Sequence, residues 1–274
     1  MAEIHSRFVL VDGLRTHYLE AGKGFPLVLL HSGEFGGCAE LSWEFNLASL
    51  ADHFHVIAPD WLGFGQSAKV FSFEDMASFR VRHIAGLLRT LCIERAHFMG
   101  NSMGGSVLAA VAARDDCPWP IARIVLASGG GFAPENEARQ VLNSYDGSRA
   151  HMARIVAVLV RDPKLRDDDA YIDKRHRISL EPGAWECTAA ARFRRPGAGS
   201  RSGNRPPSPG NCNIKAPTLI VAGGKDPLRN PGYADELHQE IPGSELVLFA
   251  QAGHCPQLDE PDRFNRVVAE FLSR

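Results

Sequence analysis

Ser102, Asp226 and His254 have the residue types, and the chain order, that nucleophilic acyl chemistry uses. Ser102 lies in HFMGNSMGGS (97–106), a G-x-S-x-G pattern between a stretch that reads as a strand and one that reads as a helix. A sharp strand-to-helix turn lifts a serine hydroxyl above the sheet edge, with Gly100 and Gly104 leaving room for the two backbones. Taken alone, the pattern also suits an ordinary turn. A serine needs a base, and the base needs an orienting acid. TLIVAGGKDPL places Asp226 just past one apolar run, and ELVLFAQAGHCPQLDEP places His254 just past the next. Each has a plain reading, Asp226 as a helix N-cap beside Pro227 and His254 as one of eleven histidines. Together, each at the carboxyl end of a predicted strand, they point to one relay. Such chemistry also needs backbone N–H donors for the developing oxyanion, each worth about 3 kcal/mol. Met103, opening the predicted helix, supplies one, and Gly33 in LLHSGEFGG the other.

The elements that must position these residues follow from hydrophobic periodicity. RFVLVDG and RTHYLEAG predict a hairpin turned at Asp12-Gly13, and PLVLLHSG a buried strand ending in a glycine-rich loop. A helix is expected over 40–51, a strand in FHVIAPD, and a helix over 74–92 with Met76, Phe79, Ile84, Leu87, Leu88 and Leu91 on one face. RAHFMG, IARIVLASGG, APTLIVAGG and SELVLFAQAG are further strands, separated by helical stretches, and a last helix covers 261–272. This alternation predicts an α/β fold with a mainly parallel sheet. Between Phe132 and Asn213 it breaks into helices with no strand between them, so the expected organisation is a core of 1–131 and 214–274 with a helical cap and linker insertion over 132–213. The end of that insertion, rich in Arg, Gly, Pro and Ser, reads as an exposed connection.

The 274 residues are 45% hydrophobic and 23% charged, enough for one well-buried domain with an insertion. A net charge of -2 gives no electrostatic footprint for nucleic acid or an anionic membrane, so the expected partner is a small-molecule substrate, with a homodimer as one option for assembly. The opening MAEIHSRFVLVDG has no long apolar run, which predicts a cytoplasmic chain without signal peptide or anchor. Six scattered cysteines lack metal-ligand spacing and read as reduced thiols; no metal and no cofactor is expected.

Over nearly its whole length the sequence resembles the α/β-hydrolase fold family, with HSG for its usual His-Gly segment, PDWLGFGQS, the serine turn and GHCPQLDEP. The resemblance implies an eight-stranded, mainly parallel sheet with helices on both faces. Within the family, ERAHFMGNSMGGS, NSYDGS and KRHRISLEP look like segments of the bacterial meta-cleavage product hydrolases. These are serine enzymes that cut a carbon–carbon bond in ring-opened aromatic catabolites of the 2-hydroxy-6-oxo-dienoate type. That resemblance implies that Asn101 and Arg175 contact the dienoate and its carboxylate, a role a guanidinium fork suits. Their plain readings are a turn asparagine and one charge on a solvated cap helix. The sequence departs from the subfamily at Ser32, where glycine is usual, and at Cys255, where tryptophan is common. A carboxylesterase acting on small esters is the alternative, and a non-catalytic binder of the same fold is a third reading.

Overall fold

In the computed structural model, which describes residues 2–193 and 210–274, eight strands form one sheet in the order β1-β2-β4-β3-β5-β6-β7-β8. β1 (His5–Val11) and β2 (Leu14–Ala21) make the expected hairpin. Asp12 and Gly13 both have positive φ, 48° and 79°, as a two-residue turn matched to strand twist requires. β2 runs antiparallel to β4 (His55–Pro59). β3 (Pro26–Leu30), β5 (Ala96–Asn101), β6 (Ile121–Ala127), β7 (Thr218–Gly223) and β8 (Glu245–Phe249) continue it in parallel. The chain goes from β3 to β4 on one side and later places β5 on the other, so the winding direction reverses between β3 and β5. Open α/β sheets bind ligands in the crevice outside the carboxyl ends at such a reversal, and Gly33 and Ser102 lie just past those two ends.

Alternation along the strands builds the core on both faces. Val28 and Leu30 join Ile84, Leu87 and Leu108 on one face, while Leu27 and Leu29 join Leu47, Phe264 and Val268 on the other. The helix expected over 40–51 is two short ones, Ala39–Ser42 and Leu47–Ala51. Between them the chain buries Trp43 and Asn46, and the Asn46 amide donates to the Gln257 carbonyl and to Asn265 Oδ1. Among the described residues five α-helices separate β6 from β7, Glu137–Asn143, Arg149–Leu159, Pro163–Arg166, Asp169–Ser179 and Ala184–Ala190, followed by a 3-10 turn at Asn211–Asn213. Met152, Ile155 and Tyr171 from these helices pack with Phe35, Leu41 and Leu258, which seats the helices on the loops past the sheet edge. Residues 194–209, most of the basic connection read from sequence, lie outside the described residues. All six cysteines are free thiols. Among the described residues no helix is long and apolar enough to cross a membrane.

Two predictions follow from the packing. A Cβ on Gly223, the last residue of β7, would lie 1.8 Å from the Gly253 carbonyl oxygen, where only backbone could give way. Gly223→Ala should therefore lower stability by about 1–3 kcal/mol or more, read from the denaturant midpoint, and should reduce activity because Gly253 precedes His254. The second concerns pH. Burial pushes the His83 and His97 imidazoles down to about 4 and also lowers that of His31. Their unfolded value is about 6.5, so between the two values the unfolded chain binds more protons than the folded one. Stability contributed by these neutral histidines is present above that unfolded value and is lost as pH falls toward 4. Thermal melts across that range should show a falling Tm, and His83→Gln should flatten the fall.

Candidate active site

Ser102 follows the last residue of β5 and caps the helix Met103–Ala112 with φ +51° and ψ −114°. This left-handed φ swings the side chain clear of both elements. The turn is close enough that only glycine fits around it: a Cβ on Gly104 would lie 2.2 Å from the Leu30 carbonyl oxygen, and one on Gly100 would lie 2.5 Å from Gly105 N. The Ser102 N–H donates to Ala127 O on β6 at 3.0 Å, tying the turn to the neighbouring strand.

His254 lies in the loop after β8 and Asp226 in the loop after β7. Ser102 Oγ is 2.8 Å from His254 Nε2, and His254 Nδ1 is 2.7 Å from Asp226 Oδ2. The structure thus brings together all three residues that the sequence singled out. Both side chains of the His254–Asp226 pair are shielded from solvent. Burial alone would raise the Asp226 carboxyl, but the facing imidazole, with the Leu228 N–H bonded to Oδ1 at 2.8 Å, holds it below the usual carboxylate value. With Asp226 ionised, Nδ1 keeps the proton and Nε2 is left to accept from the serine hydroxyl.

The loops that carry these groups are clamped. His31 Nε2 accepts from the Trp61 N–H at 3.0 Å, so its Nδ1 donates to the Ser32 carbonyl at 2.6 Å, and the Trp61 indole donates to the His31 carbonyl. This fixes the loop holding Gly33, where a Cβ would lie 2.5 Å from Met103 Sδ. Gly33 and Met103 therefore abut beside Ser102. Asp259 accepts from Gly253 N through one carboxylate oxygen and from Arg161 N and Asp162 N through the other, joining the His254 loop to the helical segment.

The structure gives Asn101 and Arg175 partners within the protein. The fully buried Asn101 amide donates to the Ala127 and His254 carbonyls, and its Oδ1 accepts from the Cys255 thiol. In this structure it positions the His254 loop. Arg175, on the helix Asp169–Ser179, is buried against Glu34: Nη2 donates to Glu34 Oε1, which also accepts from Ser32 Oγ, and Nη1 donates to the Tyr171 hydroxyl at 3.4 Å. It is thus neither a solvated surface charge nor an open fork. Burial disfavours both charges, yet the guanidinium and the Ser32 hydroxyl hold the Glu34 carboxyl below its ordinary value, and Glu34 in turn raises Arg175. Sequence reasoning did not single out Glu34. Its signal was the acid in SGEFGG, two residues after the departure at Ser32.

A cavity of about 190 Å³ lies over Ser102 and His254, with Gly33, Glu34 and Met103 below and Leu142 and Arg192 of the helical segment above. A second cavity, about 580 Å³, shares Gly33, Met103 and Arg192 with it and extends past Phe64, Arg80 and Thr188. A serine activated by histidine, in a partly enclosed space with a helix N-terminus at its side, can attack a carbonyl carbon and settle the charge that forms on its oxygen.

Fold, strand-end placement and serine turn define a class, and residues 27–267 match the alpha/beta hydrolase family; the chain belongs to it. It is 31% identical over 268 residues, 97% of this chain and 93% of the relative, to 2-hydroxymuconate semialdehyde hydrolase of Pseudomonas sp. strain CF600. It is 30% identical over 273 residues, 99% of this chain and 97% of the relative, to 2-hydroxy-6-oxo-2,4-heptadienoate hydrolase of Pseudomonas putida. The solved structure of 2-hydroxy-6-oxo-6-phenylhexa-2,4-dienoate hydrolase from Rhodococcus sp. strain RHA1 superposes with a TM-score of 0.86, at 26% identity and with 100% of both chains covered.

The Glu34–Arg175 pair generates a stability prediction. Arg175→Met leaves a buried carboxylate without its counter-charge and should cost about 3–5 kcal/mol. The double variant Arg175→Met/Glu34→Leu removes both charges and should recover most of that loss, as read from denaturant midpoints of the two singles and the double. Additive losses would mean that the two groups do not support one another.

Proposed function

We propose that this chain is a serine hydrolase that cleaves a carbon–carbon bond in a ring-opened aromatic catabolite of the 2-hydroxy-6-oxo-dienoate type. The observation that carries the reading is the Ser102–His254–Asp226 relay opening onto a cavity whose walls include Arg139, Arg192 and Arg229 against one carboxylate, Glu34. That excess of positive charge suits an organic acid, and hydrolases named for such substrates are among the relatives that match over nearly the full length.

In the proposed cycle the bound dienol first shifts to its keto form, the C2 hydroxyl proton moving to C5, so that C5 can leave the C6 carbonyl as a carbanion equivalent stabilised by the C2 carbonyl. Ser102 Oγ attacks C6 and its proton passes to His254 Nε2, while the oxyanion is held by the N–H groups of Gly33 and Met103. The C5–C6 bond breaks with its electron pair delocalised through the chain onto the C2 oxygen, the imidazolium returns its proton to that oxygen of the leaving dienolate, and the acyl group remains as an ester on Ser102. Water, activated by His254, then hydrolyses that ester. The sum is addition of H to C5 and OH to C6, and the chemistry draws on no other co-reactant.

Carboxylesterase action by the same relay is the second reading. It is favoured by the Glu34–Arg175 pair, which supplies Arg175 with a carboxylate from within the protein. Turnover of a 2-hydroxy-6-oxo-dienoate, followed by loss of its yellow absorbance, against a short-chain nitrophenyl ester separates the two. The dienoate should be preferred in kcat/KM by about a hundredfold or more; the reverse order would establish the esterase. On whichever substrate is turned over, Ser102→Ala and His254→Ala should each lower kcat by on the order of 10⁴- to 10⁶-fold. Asp226→Asn should lower it by on the order of 10⁴-fold, because the wrong nitrogen of His254 then carries the proton.

A further inference from the structure

Arg80 projects from the helix Met76–Thr90 into the larger cavity, and no carboxylate among the described residues is ion-paired with it. Its Nη1 donates to Met103 Sδ at 3.4 Å, and its guanidinium carbon lies 5.2 Å from the centre of the Phe64 ring. A thioether is a weak acceptor and a ring face satisfies no N–H in the plane of the fork. Nε is buried with no partner, and Glu135, the acid that lines the same cavity, makes no ion pair with it. Desolvation pushes the group down only to about 10, so it remains charged at neutral pH. Arg192, which shares the cavity, is different: its Nη atoms donate to the Thr188 and Leu142 carbonyls and it lies over Phe35. Arg80, by contrast, has no oxygen acceptor for its donors among the described residues.

The position of Arg80 says which part of a substrate would meet it. The half that leaves takes its proton from His254, and His254 lines the smaller cavity together with Glu34. The larger cavity begins at the same Gly33 and Met103 but is lined by neither His254 nor Glu34. The chain attached to the other side of the attacked carbonyl, which stays on Ser102 as the acyl group, therefore extends toward Arg80. We propose that Arg80 is a specificity-determining residue that binds a carboxylate on the acyl half of the substrate, so that the preferred substrates are dicarboxylates, an enol acid at one end and a carboxyalkyl ketone at the other. The proposal rests on the reading of Ser102 as the nucleophile and deepens the dienoate assignment.

The test compares two 2-hydroxy-6-oxo-dienoates that differ only on the ketone, one bearing a propyl group and one a carboxyethyl group. The native enzyme should favour the carboxyethyl substrate in kcat/KM, and Arg80→Met should lower the ratio of the two values by about 10- to 100-fold. Arg80→Lys should restore part of the ratio, because charge is kept while the fork is lost. A native ratio near one, or a ratio that Arg80→Met leaves unchanged, overturns the proposal. If neither dienoate is turned over, the dienoate reading fails, and Arg80 is tested on its own with nitrophenyl butyrate against the nitrophenyl half-ester of glutaric acid, whose acyl chains are neutral and anionic. The same collapse of the ratio in Arg80→Met upholds Arg80 as the anion-binding group, and its absence refutes it.

Discussion

A serine held at positive φ is the constraint on which the rest of this site depends. For a residue with a side chain, that region costs of order 1–3 kcal/mol, and it persists only where surrounding structure over-determines it. Here the surroundings are backbone. β5 and the helix Met103–Ala112 meet at Gly100, Gly104 and Gly105, and Gly129, just past β6, presses on Gly105. The N–H of Ser102 is bonded to β6, while its carbonyl accepts from Ser106 N in the first turn of the helix. The turn cannot relax without parting a strand from a helix, and so the hydroxyl stays where His254 can reach it.

The other two members of the relay come from loops, and loops gain their precision from what anchors them. Asn101, the residue before the serine, reaches the His254 carbonyl, so one turn of chain sets both the nucleophile and the loop of its base. Asp259 extends that loop's contacts to residues 161 and 162, at the end of the helix Arg149–Leu159. Burial pushes the Asp259 carboxyl up, and the three N–H groups it accepts oppose that shift. Through this residue the helical segment above the cavity and the base below it share one polar contact. Movement of those helices would therefore reach His254 as well as the cavity walls.

The relay was legible in the sequence because each member stands at a strand end and strand ends are marked by apolar runs stopping at glycine. Residue types alone would not have been enough. Ser6, His17 and Asp60 show the same connectivity, with Ser6 Oγ 2.9 Å from His17 Nε2 and His17 Nδ1 2.7 Å from Asp60 Oδ2. Yet Ser6 lies within a hairpin strand, and Asp60 also accepts from Ala39 N and Gln66 N, which makes that trio a brace for two loops. Neither helix periodicity nor composition could disclose the break at residues 43–46, since it arises from the tertiary partners of Asn46, more than two hundred residues away in the chain. Glu34–Arg175 was hidden for the same reason: 141 residues separate the partners, and only the seating of the helix Asp169–Ser179 on the loop after β3 brings them together.

Charge in and around the cavities is arranged against the chain's overall balance. The molecule carries a net charge of -2, but the walls of the two cavities expose Arg80, Arg139, Arg192 and Arg229 against Glu34 and Glu135. Arg229 donates to the Ser128, Gly130 and Phe132 carbonyls, and Arg139 to those of Pro134 and Leu228, so these two also hold the loop after β6 in place. Backbone carbonyls satisfy donors without cancelling charge. An arginine tied in this way keeps its field while losing its freedom, which lowers the entropy that a bound anion would otherwise have to offset. Arg175, by contrast, meets a full carboxylate and contributes little net field. Glu34 thus shifts the positive potential away from the loop after β3 and toward the helices above Ser102, so that an acid entering the site is drawn toward the far wall of the cavity and across the nucleophile.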